Sequence, residues 1–513
     1  MNLLKALVTV SGMTLLSRVS GFVRDVLQAQ VFGAGPLMDA FVVASRLPNL
    51  LRRMFAEGAF SQAFVPVLAE YKTREGDEST RELIDKVATS LAIVLAAVTL
   101  IGIVAAPLLI YATAAGFAAT PDKFDLSVQL LRICFPYIFF VSLVSMAAGI
   151  LNTWGKMAAP AFTPFFLNLS YIIFTLLAVP YFDPPIMALA WALAAGGVMQ
   201  LAFQVPFLLK IKALPRWNLD FRHPGVKRIY TLMLPALLGV SVTQISLVIN
   251  TQYQSFMEEG SVSWLYFADR LMEFPSALLG VTLGTILLPG LSKRFAEADH
   301  GEYSRLLDWG LRLTFLLALP AALGLAMLAT PIISTLFQGG LFTPEDVVRT
   351  REALIAYSVG LIGIILVKIL APGFYARQNI KTPVKIALIA LVAVQTMNVL
   401  FIFWPLKLGH AGLALSIGLG ACLNALLLYR GIRAHDIYTP EPGWLAFLAK
   451  LALALALMAG VLWFATGAPA YWFALSRFER AAMLFALVAA GGGVYFAALW
   501  LMGFRPGDFK RHA

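Results

Sequence analysis

The chain reads as an all-α polytopic membrane protein, and three observations carry that reading. Of its 513 residues, 60% are hydrophobic and 13% charged, with a mean hydropathy of +0.80, too apolar for a common soluble class. The apolar residues run in stretches near 85–112, 127–152, 159–182, 185–209, 229–257, 274–291, 310–337, 353–376, 383–406, 411–429, 444–467 and 480–503. Most reach the ~20 residues that one bilayer crossing needs; with two polar-striped spans at the start, about fourteen crossings are expected. Third, basic residues gather on alternate connections. With a cytoplasmic N-terminus these hold Lys72 and Arg74, Lys156, the group Lys210, Lys212, Arg216, Arg222, Lys227 and Arg228, Lys293 and Arg294, Arg377 and Lys381, Arg430 and Arg433, and Arg505, Lys510 and Arg511. The opposite connections are acidic or sparse, although Arg349, Arg351, Arg477 and Arg480 run against the trend. The net charge of +11 is thus a topology signal: both termini are expected in the cytoplasm, and no nucleic-acid partner is expected.

The first span, about 4–32, has no small-residue cleavage site behind it and is expected to be retained. On a helix, Thr14, Arg18, Gly21 and Asp25 fall within roughly 60° of one another, flanked by Ser17 and Arg24. The turn signal Gly33-Ala34-Gly35-Pro36 makes the second span its hairpin neighbour. That span, 39–71, carries Asp39, Arg46, Arg52, Arg53 and Glu57 in an apolar run. A charge at mid-bilayer costs about 2.5 to 3.5 kcal/mol on insertion scales, so such residues face a bundle interior or a watery path. At about 100° per residue, Asp39, Arg46, Arg53 and Glu57 lie within roughly 20° of one line, with Arg52 about 100° from Arg53. Arg53 and Glu57 are spaced to pair; Arg46 and Arg52 have no local counter-charge, and something anionic is expected to supply it.

The next spans are apolar, and Cys134 and Cys422 within such spans read as small packing residues. Comparing the chain with itself shows a repeat. Pro66 in FVPVLAEYK matches Pro289 in LLPGLSKRF (289 − 66 = 223), and Pro160 in LNTWGKMAAP matches Pro383 in FYARQNIKTP (383 − 160 = 223). One offset at two distant landmarks argues for two parallel six-helix halves, 1–215 and 216–434, related by an axis along the membrane normal. The second-half counterpart of the charged span is 262–293, where Ser263, Tyr266, Arg270 and Glu273 lie within roughly 80° on one face beside Asp269. Asn49 lies among the charges of the second span, and Lys368 is a lone cation in the tenth. Residues 435–513 exceed the repeat and add two spans. All five histidines lie in loops or at helix ends, without acidic neighbours that would suggest a metal or general-base site; an enzyme is not expected.

At SRVSGFVRD (17–25), RLPNLLRRMFAEGAFSQAFVPVLAEY (46–71), ADRLMEFPSALLGVTLGTILLPGLSK (268–293) and APGFYARQNIKTPVKIA (371–387), the chain closely resembles the MurJ/MviN lipid II flippase family of the MOP exporter superfamily, over essentially its full length. The resemblance implies fourteen helices in two six-helix lobes, with the last pair bordering a groove for a lipid tail. It implies an inner-membrane protein that moves lipid II, undecaprenyl-pyrophosphate-linked disaccharide-pentapeptide, from the cytoplasmic to the periplasmic leaflet. Its partners would be lipid II, membrane lipids and the peptidoglycan synthesis machinery. The family's cavity residues match at Ser17, Arg18, Arg24, Asp25, Asp39, Asn49, Arg52, Arg53, Glu57, Ser263, Asp269 and Arg270.

Physical chemistry supports the same assignment of roles. The planar guanidinium binds phosphate oxygens bidentately and stays charged, so Arg18, Arg24, Arg52 and Arg270, supported by Arg53, Ser17, Asn49 and Ser263, are expected to meet the pyrophosphate in one cavity. Asp25, Asp39, Glu57 and Asp269 would pair with the arginines when substrate leaves. Structural ion pairing between helices is the competing role for these charges. The nearer alternative is another exporter of the same superfamily, an O-antigen type lipid-linked oligosaccharide flippase or a drug/cation antiporter, although an antiporter for cationic drugs would want an acid-dominated cavity. No cofactor is expected. The span 229–257 lacks an acid and Gln378 and Asn379 are neutral, which argues against the sodium site of some family members. Membrane potential, at about 2.3 kcal/mol per charge per 100 mV, is the alternative drive, and Lys368 suits either scheme.

Overall fold

A computed structural model describes residues 3–403 and 406–505, apart from the side chains of 3–11, 56–57, 238–243, 281–282 and 285–286. The side chain of Glu57, and Lys510 and Arg511 entirely, lie outside the described residues. Among those described there is no β-strand, only an isolated bridge between Gly339 and Phe342. Two compact units, Met1–Ser263 and Trp264–Ala513, are taken in turn.

The first unit opens with α1 (Leu3–Phe32) and turns at Gly33, whose φ of 67° suits a residue without a Cβ. The next helix is α2 (Pro36–Leu51), started by Pro36 in its first turn. It passes through a π-helical stretch, Arg52–Phe60, into α3 (Ser61–Arg74). Then follow α4 (Gly76–Val104), α5 (Ala106–Ala114), α6 (Pro121–Cys134), α7 (Tyr137–Thr153), α8 (Ala158–Phe162), α9 (Pro164–Ile173) with a π-helical stretch at Phe174–Ala178, α10 (Met187–Lys210) and α11 (Pro224–Ser255). Helix α11 packs on α3, α5 and the first π-helical stretch. The loop before α11 is tied to α4: Lys86 pairs with Asp220 at 3.1 Å, and Asp85 accepts from the Arg216 backbone at 2.8 Å. The Lys86 ammonium beside Asp220 lowers its carboxyl below the usual range.

The second unit takes up α12 (Ser261–Pro275) from Trp264 onward. A π-helical stretch, Ser276–Val281, follows, then α13 (Thr282–Ala296), α14 (His300–Met327), α15 (Ala329–Leu336) and α16 (Pro344–Tyr375). Next come α17 (Lys381–Asn398) with a π-helical stretch at Val399–Phe403, α18 (Gly409–Ala434), α19 (Trp444–Thr466), α20 (Pro469–Ala474) and α21 (Arg477–Leu501). Among the described residues, ten helices are long and apolar enough to cross a membrane. The remaining long ones, α1, α2 with α3, α11, and α12 with α13, carry polar residues along their length. Several expected single runs are jointed: 85–112 divides at Ala105 before Pro107, and 127–152 at Pro136, because proline starts a helix more readily than it continues one.

All four π-helical stretches among the described residues obey the internal repeat. Shifting Arg52–Phe60 by 223 gives 275–283, against Ser276–Val281 observed, and shifting Phe174–Ala178 gives 397–401, against Val399–Phe403. The first stretch also corrects the helical-wheel reading of the second span. The i→i+5 turns from Arg52 onward do not advance at 100° per residue, so Arg53 leaves the line set by Asp39. Asp39 is buried whereas Arg53 is exposed.

Helices α16 and α18 cross where both are bare. A Cβ on Gly360 would be driven into the Cα of Gly418, and one on Gly363 into the Cys422 backbone. Close backbone approach at small residues is how helices bind one another in lipid. Cys134 is fully buried in α6 and Cys422 packs in α18, its Sγ 3.7 Å from the Val359 carbonyl, the packing role expected of both. The last helices are held by Asp308 on α14, which accepts from Tyr438 Oη at 2.6 Å, Trp444 Nε1 at 2.7 Å, the Glu441 backbone at 3.1 Å and Arg312 Nε at 2.7 Å. Below it, Leu316, Phe447, Leu451, Leu462 and Tyr495 form an apolar seam.

Gly360→Ala is expected to cost about 1–3 kcal/mol or more, since backbone, not a movable side chain, occupies the space. A lowered thermal-unfolding midpoint in detergent checks this, with Gly460→Ala, where nothing lies within 4 Å, as the neutral control. Asp308→Ala strands four donors and is expected to raise hydrogen exchange over 435–501 selectively; uniform exchange across the chain would contradict the clamp.

Candidate functional site

The first unit assembles its site around Arg24. Helix α1 turns this side chain towards α9, and the guanidinium is held on three sides. Asp25 Oδ1 accepts from Nε at 2.9 Å and Nη2 at 2.7 Å. Asn168 Oδ1 accepts from Nη1 at 2.9 Å, and the Tyr171 ring lies 5.4 Å from the guanidinium carbon. Asn168 and Tyr171 are three apart on α9 and so share a face. Asn168 Nδ2 also donates to the Ser17 carbonyl at 2.9 Å and to Ser20 Oγ at 3.1 Å. Asp25 is buried and Arg24 is 14% exposed, so the ion pair sits in reduced dielectric with charge and hydrogen bonds matched. Ser17 is half-buried and Arg18 exposed.

The second cluster surrounds Asp39, whose side chain is 1% exposed. Its Oδ2 accepts from Lys123 Nζ at 3.0 Å and the Gly260 backbone at 2.8 Å. Its Oδ1 accepts from the Ser263 backbone at 3.0 Å and Ser263 Oγ at 2.7 Å. A carboxylate at the first turn of α12 meets unpaired N–H groups and the positive end of the helix dipole. Lys123 Nζ also lies 4.3 Å from the Phe117 ring centre. Asp39 was expected to answer an arginine; Lys123 answers it instead, a cation on α6 that sequence reasoning passed over. Ser263, expected to touch substrate, donates to Asp39 and is fully buried.

On α2, Arg46 Nη1 donates to Gln254 Oε1 at 2.6 Å and Thr251 Oγ1 at 2.9 Å, both on α11. Nη1 of Arg46 is thus held by two neutral acceptors of α11. Asn49 Nδ2 donates to the Ser45 carbonyl at 2.9 Å. Arg52 is half-buried at the head of the π-helical stretch, and Arg53 beside it is exposed.

In the second unit, Arg270 Nη1 donates to Glu273 Oε2 at 2.9 Å and its guanidinium lies 5.0 Å from the Tyr266 ring centre. These three were placed on one face by spacing, and the structure brings them together. Asp269 is exposed. Lys368 reaches from α16 along Gly280 to the Ser276 carbonyl at 3.1 Å, inside the π-helical stretch. Asn168 and Tyr171 were missed; the one available signal was a lone amide in the apolar run FFLNLSYIIF, since polar groups inside membrane helices are rarely idle.

A family model described as lipid II flippase MurJ matches residues 28–483. The chain is 50% identical over 518 aligned residues to a Burkholderia cenocepacia protein named lipid II flippase MurJ, covering 100% of both chains. It is 42% identical to a Vibrio cholerae protein named probable lipid II flippase MurJ, covering 99% of this chain and 98% of that one. Among solved structures, lipid II flippase MurJ in an inward closed conformation matches with a TM-score of 0.81 at 26% identity, over 96% of this chain and 98% of that one. An inward-facing MATE multidrug transporter of the MOP superfamily matches at a TM-score of 0.66 and 13% identity, over 84% and 98%, a likeness of fold alone. By the family model and by full-length identity to these relatives, the chain belongs to the MurJ lipid II flippase family.

Proposed function

We propose that this protein carries lipid II from the cytoplasmic to the periplasmic leaflet of the bacterial inner membrane by alternating access, both termini being cytoplasmic. The observation that carries the reading is the Arg24 cluster: a guanidinium inside an apolar helix bundle, paired with the Asp25 carboxylate, which an anionic headgroup can replace. A pyrophosphate offers what Asp25 offers, oxygen acceptors and negative charge, and more of both. Arg18, Arg52 and Arg53 add cationic groups for the same headgroup in the first unit, Ser17 and Asn49 add polar ones, and Arg270 offers the same phosphate-binding chemistry in the second unit. Asp25, Asp39, Glu57 and Asp269, with Lys368, set the balance of charge once the headgroup has gone. Movement of the headgroup needs no covalent step. Membrane potential acting on these charges is the drive we favour over a sodium gradient.

Complementation tests the reading: the resident flippase of a bacterial host is depleted, this chain supplied, and periplasmic access of lipid II followed. The wild-type chain is expected to restore flipping, and Arg18→Ala, Arg52→Ala and Arg270→Ala each to lower its rate about 10- to 100-fold, the loss that goes with one charged hydrogen bond. Failure of the wild-type chain, or full flipping by all three variants, would overturn it. For the Asp39 cluster, Lys123→Met leaves a buried carboxylate unpaired and is expected to cost roughly 3–5 kcal/mol, with most of it recovered when Asp39→Asn is added. Thermal unfolding of the single and double variants decides this.

A further inference from the structure

We propose that Asn168 is the positioning residue that keeps Arg24 in place while its anionic partner is exchanged; this rests on the flippase reading above. The geometry fixes how the amide points. A guanidinium only donates and a carbonyl only accepts, so Oδ1 must face Arg24 Nη1, at 2.9 Å, and Nδ2 must face the Ser17 carbonyl, at 2.9 Å, and Ser20 Oγ, at 3.1 Å. Asn168 is 7% exposed, and α1 presents Gly21 to it, where a Cβ would come 3.3 Å from Nδ2. One neutral side chain therefore ties the tip of Arg24 to the backbone of Arg24's own helix, seven residues earlier.

Asp25 and Asn168 hold different edges of the guanidinium and differ in charge. An arriving pyrophosphate competes with Asp25, because it needs the same kind of donor and is repelled by the carboxylate. It does not compete with Asn168, which carries no charge to repel it and holds Nη1. As Asp25 gives way, Asn168 and the Tyr171 ring keep the arginine in one rotamer, so binding does not have to order a long side chain afresh. Glutamate or aspartate in this place would hold Arg24 as firmly but oppose the ligand.

The test measures binding of lipid II to the full-length protein in nanodiscs, for the wild type, Asn168→Leu, Arg24→Ala and the double variant. Asn168→Leu is expected to raise the half-saturating concentration about tenfold in the wild-type background and to change nothing further in the Arg24→Ala background. Wild-type binding by Asn168→Leu, or an equal loss in both backgrounds, overturns the proposal. Asn168→Asp supplies a second reading and serves alone if the leucine variant does not fold. It has the same shape with a charge, and is expected to bind weakly at neutral pH. Its affinity relative to wild type should recover as pH falls towards about 4, where a protonated carboxyl again both donates and accepts. A ratio that does not move with pH counts against the proposal. If the wild type takes up no lipid II, the flippase reading fails, and the same cycle with inorganic pyrophosphate still reads the coupling of Asn168 to Arg24; binding of neither ligand overturns both.

Discussion

The structure depends on how a charge is satisfied where water cannot reach it. Desolvating an ion costs several kcal/mol even after relaxation, and this chain meets that cost in two chemically different ways. Arg24 and Asp39 are each met by an opposite charge and by neutral hydrogen-bond partners together. Arg480 on α21 is 8% exposed and is met by backbone carbonyls: Trp472 at 2.9 Å, Phe473 at 3.0 Å and Ser334 at 3.1 Å. Lys368 likewise reaches a carbonyl. The difference sets what each cation is able to do. A carboxylate partner is exchangeable for another anion, because the incoming charge replaces the outgoing one. Carbonyls of the chain's own backbone cannot leave, so Arg480 works as a fixed staple between α15, α20 and α21.

Much of this was legible in the sequence, and the limits are physical. Apolar run length gave the spans because the bilayer sets it, yet run length is blind to joints, and Ala105 and Pro136 cut runs whose hydropathy is unbroken. Helical spacing joined Tyr266, Arg270 and Glu273 correctly, since they share one regular helix. It failed past Leu51, where the turns widen. Partners on other helices were the least visible. Lys123 and Asn168 were both passed over, because a contact 84 or 144 residues away along the chain leaves no periodicity. The compact units meet the chain at Ser263, whereas the repeat was placed at 215/216; compactness and repeated order are separate properties, and α11 follows its contacts with α3 and α5.

The paired π-helical stretches show what the repeat has kept. The two in the charged spans, RRMFAEGAF and SALLGV, have little sequence in common, so the shared feature is the backbone widening itself. An i→i+5 turn loosens the ordinary ladder and exposes carbonyls that α-helical geometry would occupy, a feature found mostly at functional places. In each unit a later helix packs against the widened turn, α7 in the first and α16 in the second. Position 368 on α16 corresponds, at the same offset of 223, to Ser145 on α7 (368 − 145 = 223). The second unit therefore places its cation on the helix facing the wide turn, where Lys368 takes the Ser276 carbonyl. The first unit has a small residue there and carries Arg52 and Arg53 in the wide turn itself. One backbone device is thus charged from opposite sides in the two halves: in the second the cation closes the turn's own carbonyl, and in the first the cations belong to the turn and are directed by it.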